Sequence, residues 1–261
     1  MLEVLVMLIA SVSWGNDSIA LVRWLYEHDA LTRFERVICV YADTGWAAKE
    51  WPARVAAAEE MARRLGFEVA HVESIGFVPL ARLRKGFPRN GMQFCTTELK
   101  IKPIRSWMMT VDPGCEAMIA CGIRREESNH RARWPEHVEN SEQHGGRDAW
   151  YPLVRVQEEE RNALIRRAGF EPLPHRSKEC FPCVNANRRD LRLLTDERVS
   201  EIEALETSMG FTGKGKPRTL FRPYRHGGAV GIREVARWAS AEHGQYEPLE
   251  SGSCDSGFCG D

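Results

Sequence analysis

The first 121 residues alternate short apolar runs with amphipathic stretches, and this alternation restricts the fold more than any other feature. Val4–Ser11 is a continuous apolar run ending in small polar residues, the pattern of a strand covered on both faces. Asp17–His28 has helical spacing, with Ile19, Leu21, Val22, Leu25 and Tyr26 near one face. Arg36–Ala42 is a second expected strand, Ala47–Leu65 a helix stopped by Gly66, and Phe67–Val72 a third strand. Thr97–Met109 is helical with Pro103 in its first turn, and Glu116–Cys121 is a fourth strand. Repeated β–α units predict an α/β fold: a parallel twisted sheet with helices on both faces.

The pattern weakens after about Arg133. Segment 134–153 is expected to be an ordered loop over the sheet rim, ending in a strand-like Trp150–Val154. Glu158–Ala168 and Asp190–Met209 are expected helices. The predicted organisation is an α/β domain over 1–155, then a small helical C-terminal region over 156–261 with a cysteine metal site. The length of 261 residues accommodates both parts.

Net charge leaves electrostatic binding to local patches. Lys+Arg is 36 against Asp+Glu 37, so a net charge of −1 exerts no overall pull on a polyanion. The longest apolar stretch, Val4–Ala10, is far below the roughly 20 residues that a membrane-spanning helix needs, and it lacks a basic leader. No membrane association and a cytoplasmic location are the expectations.

Ser11–Ser18 (S-V-S-W-G-N-D-S) lies between the first strand and the first helix. Such a loop aims backbone N–H groups beyond the strand's carboxyl end, where the helix N-terminus adds partial positive charge. Gly15 permits close approach by a phosphate, and Ser13 and Ser18 offer hydroxyls. Asp17 caps the helix or holds a magnesium ion beside a triphosphate. An ordinary N-cap by Asp17 or Asn16 is the simpler alternative.

This loop resembles the S-x-G-x-D-S loop of the PP-loop superfamily, which comprises ATP pyrophosphatases and phosphoadenosine phosphosulfate (PAPS) reductases. Trp14 stands at the usual second glycine and Asn16 at the usual lysine. Three further stretches resemble that group in the right order: Tyr41–Gly45 (YADTG), Cys95–Pro103 (CTTELKIKP) and Gly122–Arg131 (GIRREESNHR). The resemblance implies a Rossmann-like sheet of PP-loop type. It implies nucleotide binding by Ser11, Ser13, Gly15, Asn16, Asp17, Ser18, Asp43, Thr44, Gly45, Lys102, Gly122, Arg124, Glu127, Ser128 and Arg131. It also implies catalytic roles for Asp17, Lys100 and Arg124, and for Cys259 if the chain is a reductase.

The eight cysteines have two kinds of surroundings. Cys39, Cys115 and Cys121 sit in or beside apolar strands and read as small buried residues. Cys180-Phe-Pro-Cys183 can bring two sulfurs to one metal, and zinc or a cubane iron–sulfur centre usually wants four ligands. Cys95 is the expected third ligand, and Cys254 or Cys259 the fourth. Iron–sulfur members of the superfamily use such scattered cysteines, which makes a [4Fe-4S] cluster the first expectation and zinc the alternative.

Two stretches are locally basic. Residues 82–107 hold seven basic side chains and one acid, and residues 210–226 hold five and none. They suit ATP, PAPS or a nucleic acid such as tRNA or DNA. The function expected first is attack on the ATP α-phosphate with Mg²⁺, coupled to sulfur transfer, with a cysteine desulfurase as donor. Its rivals are a PAPS or adenylylsulfate reductase fed by a thioredoxin-like donor, and a non-catalytic nucleotide-binding module with a structural metal.

Overall fold

The computed structural model describes residues 5–89, 91–127 and 129–242. Its elements in chain order are β1 (Leu5–Val12), α1 (Asn16–Glu27), α2 (Ala30–Arg33), β2 (Phe34–Asp43), α3 (Trp51–Arg64), β3 (Glu68–Glu73) and α4 (Phe77–Leu83). Then come α5 (Phe94–Thr96), a π-turn (Thr97–Ile101), α6 (Lys102–Val111), β4 (Met118–Cys121), β5 (His137–Ser141) and β6 (Arg147–Trp150). The last helices are α7 (Glu158–Arg167), α8 (Arg188–Leu191), α9 (Asp196–Met209) and α10 (Ile232–Ser240).

The six strands form one sheet in the order β3-β2-β1-β4-β6-β5. Every pairing is parallel except β5 with β6. Side chains on successive strand residues point to opposite faces, and both faces are covered. Leu8, Ala10, Val12, Cys39 and Tyr41 pack with α1, α3 and α7. Met7, Ile9, Ile38, Val40 and Ile119 face Met108 of α6. That two-sided burial is why the strands read as unbroken apolar runs. Beyond β1 the chain builds one side of the sheet through β2 and β3, then returns to β4 on the other side. Such a reversal opens a crevice at the carboxyl ends of the two adjoining strands.

A second core gathers Trp46, Phe77, Leu80, Cys95 and Leu99 with α8, α9 and α10. Core contacts therefore cross residue 155 in both directions, since Leu164 and Ile165 of α7 belong to the first core.

Several expected elements are corrected. Segment 134–153 is not a rim loop: β5 and β6 pair antiparallel and extend the sheet. The mostly exposed β5 carries no apolar run to announce it. Past Trp150 the chain turns, with the Val154 amide donating to the Tyr151 carbonyl at 3.0 Å, because Pro152 has no amide to continue the ladder. The expected helix 190–209 is two helices. The Thr195 hydroxyl accepts from the Arg198 amide at 3.2 Å and starts α9 afresh. Helix α3 begins at Trp51 rather than Ala47, since the Ala48 amide is held by the Lys178 carbonyl at 2.9 Å. Among the described residues no helix is long and apolar enough to cross a membrane.

Candidate nucleotide site

The loop after β1 is shaped from within. The Ser13 amide donates to Ser18 Oγ at 2.9 Å, and the two hydroxyls lie 3.1 Å apart. Trp14 adopts a left-handed φ of 59°, and its indole is fully buried in the first core. Its carbonyl accepts from Arg54 Nε at 2.8 Å. The tryptophan thus turns inward and leaves the mouth of the loop open. No side chain caps α1, so the amides of its first turn remain available to a ligand.

Gly122 closes this corner from β4. A Cβ there would lie 2.8 Å from the Asp17 carbonyl oxygen, so only glycine lets the strand end meet the first turn of α1. Two residues on, Arg124 is almost fully buried. Its Nε donates to Asp17 Oδ1 at 2.7 Å and its Nη1 to Glu126 Oε2 at 2.8 Å. Arg161 of α7 approaches the same Asp17 oxygen at 3.8 Å.

Three adjoining clefts make up the crevice. The first, about 490 Å³, is lined by Ser13, Gly15, Asn16 and Asp17 together with Arg124, Glu127, Arg131, Arg161 and Arg176. The second, about 280 Å³, holds Ser11, Ser13, Asp17, Ser18, Gly122, Lys100 and Glu179. The third, about 350 Å³, runs from Lys100 and Arg131 to Cys180 and Cys183. Lys100 and Glu179 form an ion pair where the second and third clefts meet. Burial works against the Lys100 charge, but the Glu179 carboxylate, with Cys180 and Cys183 adding to it, holds the ammonium pKa above its ordinary value. Arg131 pairs with Glu127, and burial lowers its pKa.

The structure therefore brings Ser11, Ser13, Gly15, Asp17, Ser18, Lys100, Gly122, Arg124, Glu127 and Arg131 to one place. Asn16 also lines the first cleft, where its side chain exchanges two 2.9 Å hydrogen bonds with the Leu173 backbone and so tethers the opposite wall. Other expected residues lie elsewhere. Lys102, two positions from Lys100, faces the other side of the helical path, is exposed and pairs with Glu98 at 2.9 Å. Asp43, Thr44 and Gly45 line none of these clefts. Asp43 accepts from the Gly45 amide at 2.8 Å in a local turn. The Thr44 hydroxyl is buried and donates to the Glu179 carbonyl at 2.8 Å. Ser128, Cys254 and Cys259 lie outside the described residues.

Asn16, Thr44, Trp46 and Arg198 hold a strap, residues 173–183, that forms the far wall. Trp46 Nε1 donates to the Pro182 carbonyl at 3.2 Å, and the Phe181 amide donates to the Trp46 carbonyl at 2.8 Å. Arg198 of α9 donates to the Phe181 carbonyl. The strap supplies Arg176, Ser177 and Glu179, which the sequence reading overlooked along with Arg161. Arg161 sits in an acidic-then-basic helix that looks like any solvated face, and the strap carries no periodicity.

Cys95, Cys180 and Cys183 are all free thiols close enough for their charges to act on one another. Burial raises the pKa of Cys180 and of Cys95, with Cys183 adding to both. Among the described residues, no three His, Cys, Asp or Glu side chains form a ready metal-ion site. The donor chemistry, three soft thiols without disulfide partners, nonetheless suits an iron–sulfur cluster or zinc.

Residues 7–180 match the phosphoadenosine phosphosulfate reductase domain. The chain belongs to that family. It is 26% identical over 232 residues to an uncharacterized 37.8 kDa protein in the gpa 5′ region of Escherichia phage 186, covering 70% of this chain and 68% of that one. Among solved structures it is similar to a PAPS reductase from Candida auris in a phosphate complex, at 11% identity and a TM-score of 0.45 over 63% of this chain and 74% of the other. It is also similar to the U34-tRNA thiolase NcsA from Methanococcus maripaludis with its [4Fe-4S] cluster, at 14% identity and a TM-score of 0.49, covering 80% and 69%.

Proposed function

We propose that this PAPS reductase-family domain is an enzyme that binds ATP in the crevice and cleaves it at the α-phosphate to activate a substrate for sulfur transfer. The observation that carries this reading is continuity: the phosphate loop and the Cys180–Cys183 thiols open onto adjoining clefts that share Lys100 and Glu179. In this reading the α1 amides and Ser13 hold the phosphates. Asp17, held through Oδ1 by Arg124, would hold a magnesium ion, which would supply charge neutralisation beside the triphosphate. A substrate oxygen attacks the α-phosphorus. The bond to the bridging oxygen breaks, pyrophosphate leaves with the electron pair, and the substrate is left adenylated. Lys100 and Arg131 stabilise the charge that develops. Cys95, Cys180 and Cys183 would hold an iron–sulfur cluster, whose chemistry there would be sulfur supply, with AMP leaving the activated atom as sulfur replaces the adenylated oxygen.

A second reading has support of its own. Arg124, Arg161 and Arg176 line one cleft around an Asp17 that is already paired, a setting that suits an anionic sulfonucleotide bound without metal. In that case a cysteine thiolate such as Cys259 attacks the nucleotide's sulfur, the sulfur–oxygen bond breaks and the adenosine bisphosphate leaves with its electron pair; a thioredoxin-like dithiol then displaces sulfite from the S-sulfocysteine and is itself oxidised to a disulfide.

The test is turnover by the anaerobically purified full chain, offered ATP with Mg²⁺ and separately PAPS. Pyrophosphate release that disappears in Asp17→Ala supports the first reading. Sulfite release from PAPS without metal supports the second and ends the first. A brown protein carrying iron fits the cluster, whereas a colourless protein with one zinc removes sulfur delivery.

A further inference from the structure

Two basic stretches outside the crevice form one surface. Residues 82–89, at the end of α4, hold Arg82, Arg84, Lys85 and Arg89 and no acid. Residues 210–218 hold Lys214, Lys216 and Arg218 and no acid. The second stretch folds into a tight turn: the Thr212 amide donates to the Lys216 carbonyl at 2.8 Å, and Phe211 bridges Pro217. Lys214 and Lys216 therefore sit at its tip.

Arg218 clips the two stretches together although they are 133 positions apart. Its Nε donates to the Lys85 carbonyl at 2.8 Å, and its Nη1 donates to the Met209 and Phe211 carbonyls. Its Nε and Nη1 are thus engaged within the protein. Arg82, Lys85, Arg89, Lys214 and Lys216 are exposed, and none belongs to an ion pair among the described residues. Arg84 pairs with Glu98. Among these cations stand apolar side chains, Phe211 at 67% exposure, Leu83 at 70% and Met92 at 54%.

The acids nearby are already taken: Glu98 by Arg84, and in the cleft beside Phe211, Glu203 by Arg233, Glu234 by Arg237 and Glu206 by the Leu220 and Ile232 amides. Five exposed cations outside any such pair are costly to hold together unless something anionic covers them. An exposed aromatic ring beside them adds a flat face on which an unpaired base stacks. We propose that this surface docks a single-stranded nucleic acid, with the five exposed cations on its phosphates and Phe211 against a base. The surface is separate from the crevice, so the proposal stands whichever nucleotide the crevice takes.

The experiment is fluorescence anisotropy of the full chain with labelled 15-nucleotide single-stranded RNA and DNA, the matching duplex, and phosphatidylserine vesicles. With three to five phosphates neutralised, the logarithm of affinity falls against the logarithm of salt with a slope of about −2 to −3.5. Lys214→Glu with Lys216→Glu weakens single-strand binding at least about tenfold. The same charge change at Arg64→Glu with Arg166→Glu, both exposed and remote, does not. Phe211→Ala weakens single strands by roughly fivefold or more and leaves the duplex unchanged. All variants keep mononucleotide binding, which separates a lost surface from a lost fold or a failed crevice. Four results would overturn the proposal: equal loss in the two charge variants, no effect of Phe211→Ala, preference for the duplex, or binding to vesicles without binding to oligonucleotides.

Discussion

The two walls of the crevice are built in different ways. The near wall, Ser11–Ser18 with Gly122 and Arg124, grows out of strand ends and the first turn of a helix, so its geometry is a product of local chain path. The far wall, 173–183, has little regular structure. It is hung on side chains from elsewhere: Asn16, Thr44, Trp46 and Arg198. A wall made by backbone is disturbed by steric intrusion, whereas a hung wall is disturbed by losing a hook. The two should therefore fail differently.

The largest effect is expected on the near wall. Gly122→Val forces β4 away from the Asp17 carbonyl and costs up to about 3 kcal/mol, read as a lower midpoint in urea unfolding, with nucleotide binding lost. An unchanged midpoint would mean that close packing does not define this wall. Next comes a hook. Asn16→Ala removes both bonds to Leu173 and leaves backbone groups unpaired, for about 2 kcal/mol. Its signature is local: trypsin should cut faster at Arg176 or Lys178 while the sheet stays intact. Uniformly faster cutting would show that the strap is not held separately.

The smallest effect concerns the support behind both walls, where α7 packs on α1. Arg167 grips Glu27 through two bonds of 2.8 and 2.7 Å, and chiefly for that reason the Glu27 pKa is lowered from 4.5 to about 2. A carboxylate with a depressed folded-state pKa stabilises fully above its unfolded value and loses that contribution as pH falls through the folded one. Stability should therefore decline between pH 4.5 and about 2. Arg167→Ala should flatten that decline and cost about 1 kcal/mol or less at neutral pH, because the pair is partly open to solvent. An equally steep acid limb in the variant would assign the decline to other carboxylates.

The same contrast explains what could be read in the sequence. Strands buried on both faces announce themselves as apolar runs, and the loop after β1 lies within eight consecutive residues, so the sheet and near wall were legible. The strap was not. Thr44 reaches an acceptor 135 positions away, and Asn16 a partner 157 positions away. Small polar residues serve equally as hooks and as phosphate donors, so the sequence does not announce the tethering role. The β5–β6 hairpin escaped for a different reason: an exposed edge strand needs no apolar run.

The walls also meet at Gly15, where an added Cβ would stand 2.9 Å from Cβ of Ser177. The contact is set by main chain on one side and the root of a side chain on the other, so no rotamer change can relieve it. Any larger residue at Gly15 therefore displaces the strap itself, and with it the segment that carries two of the thiols.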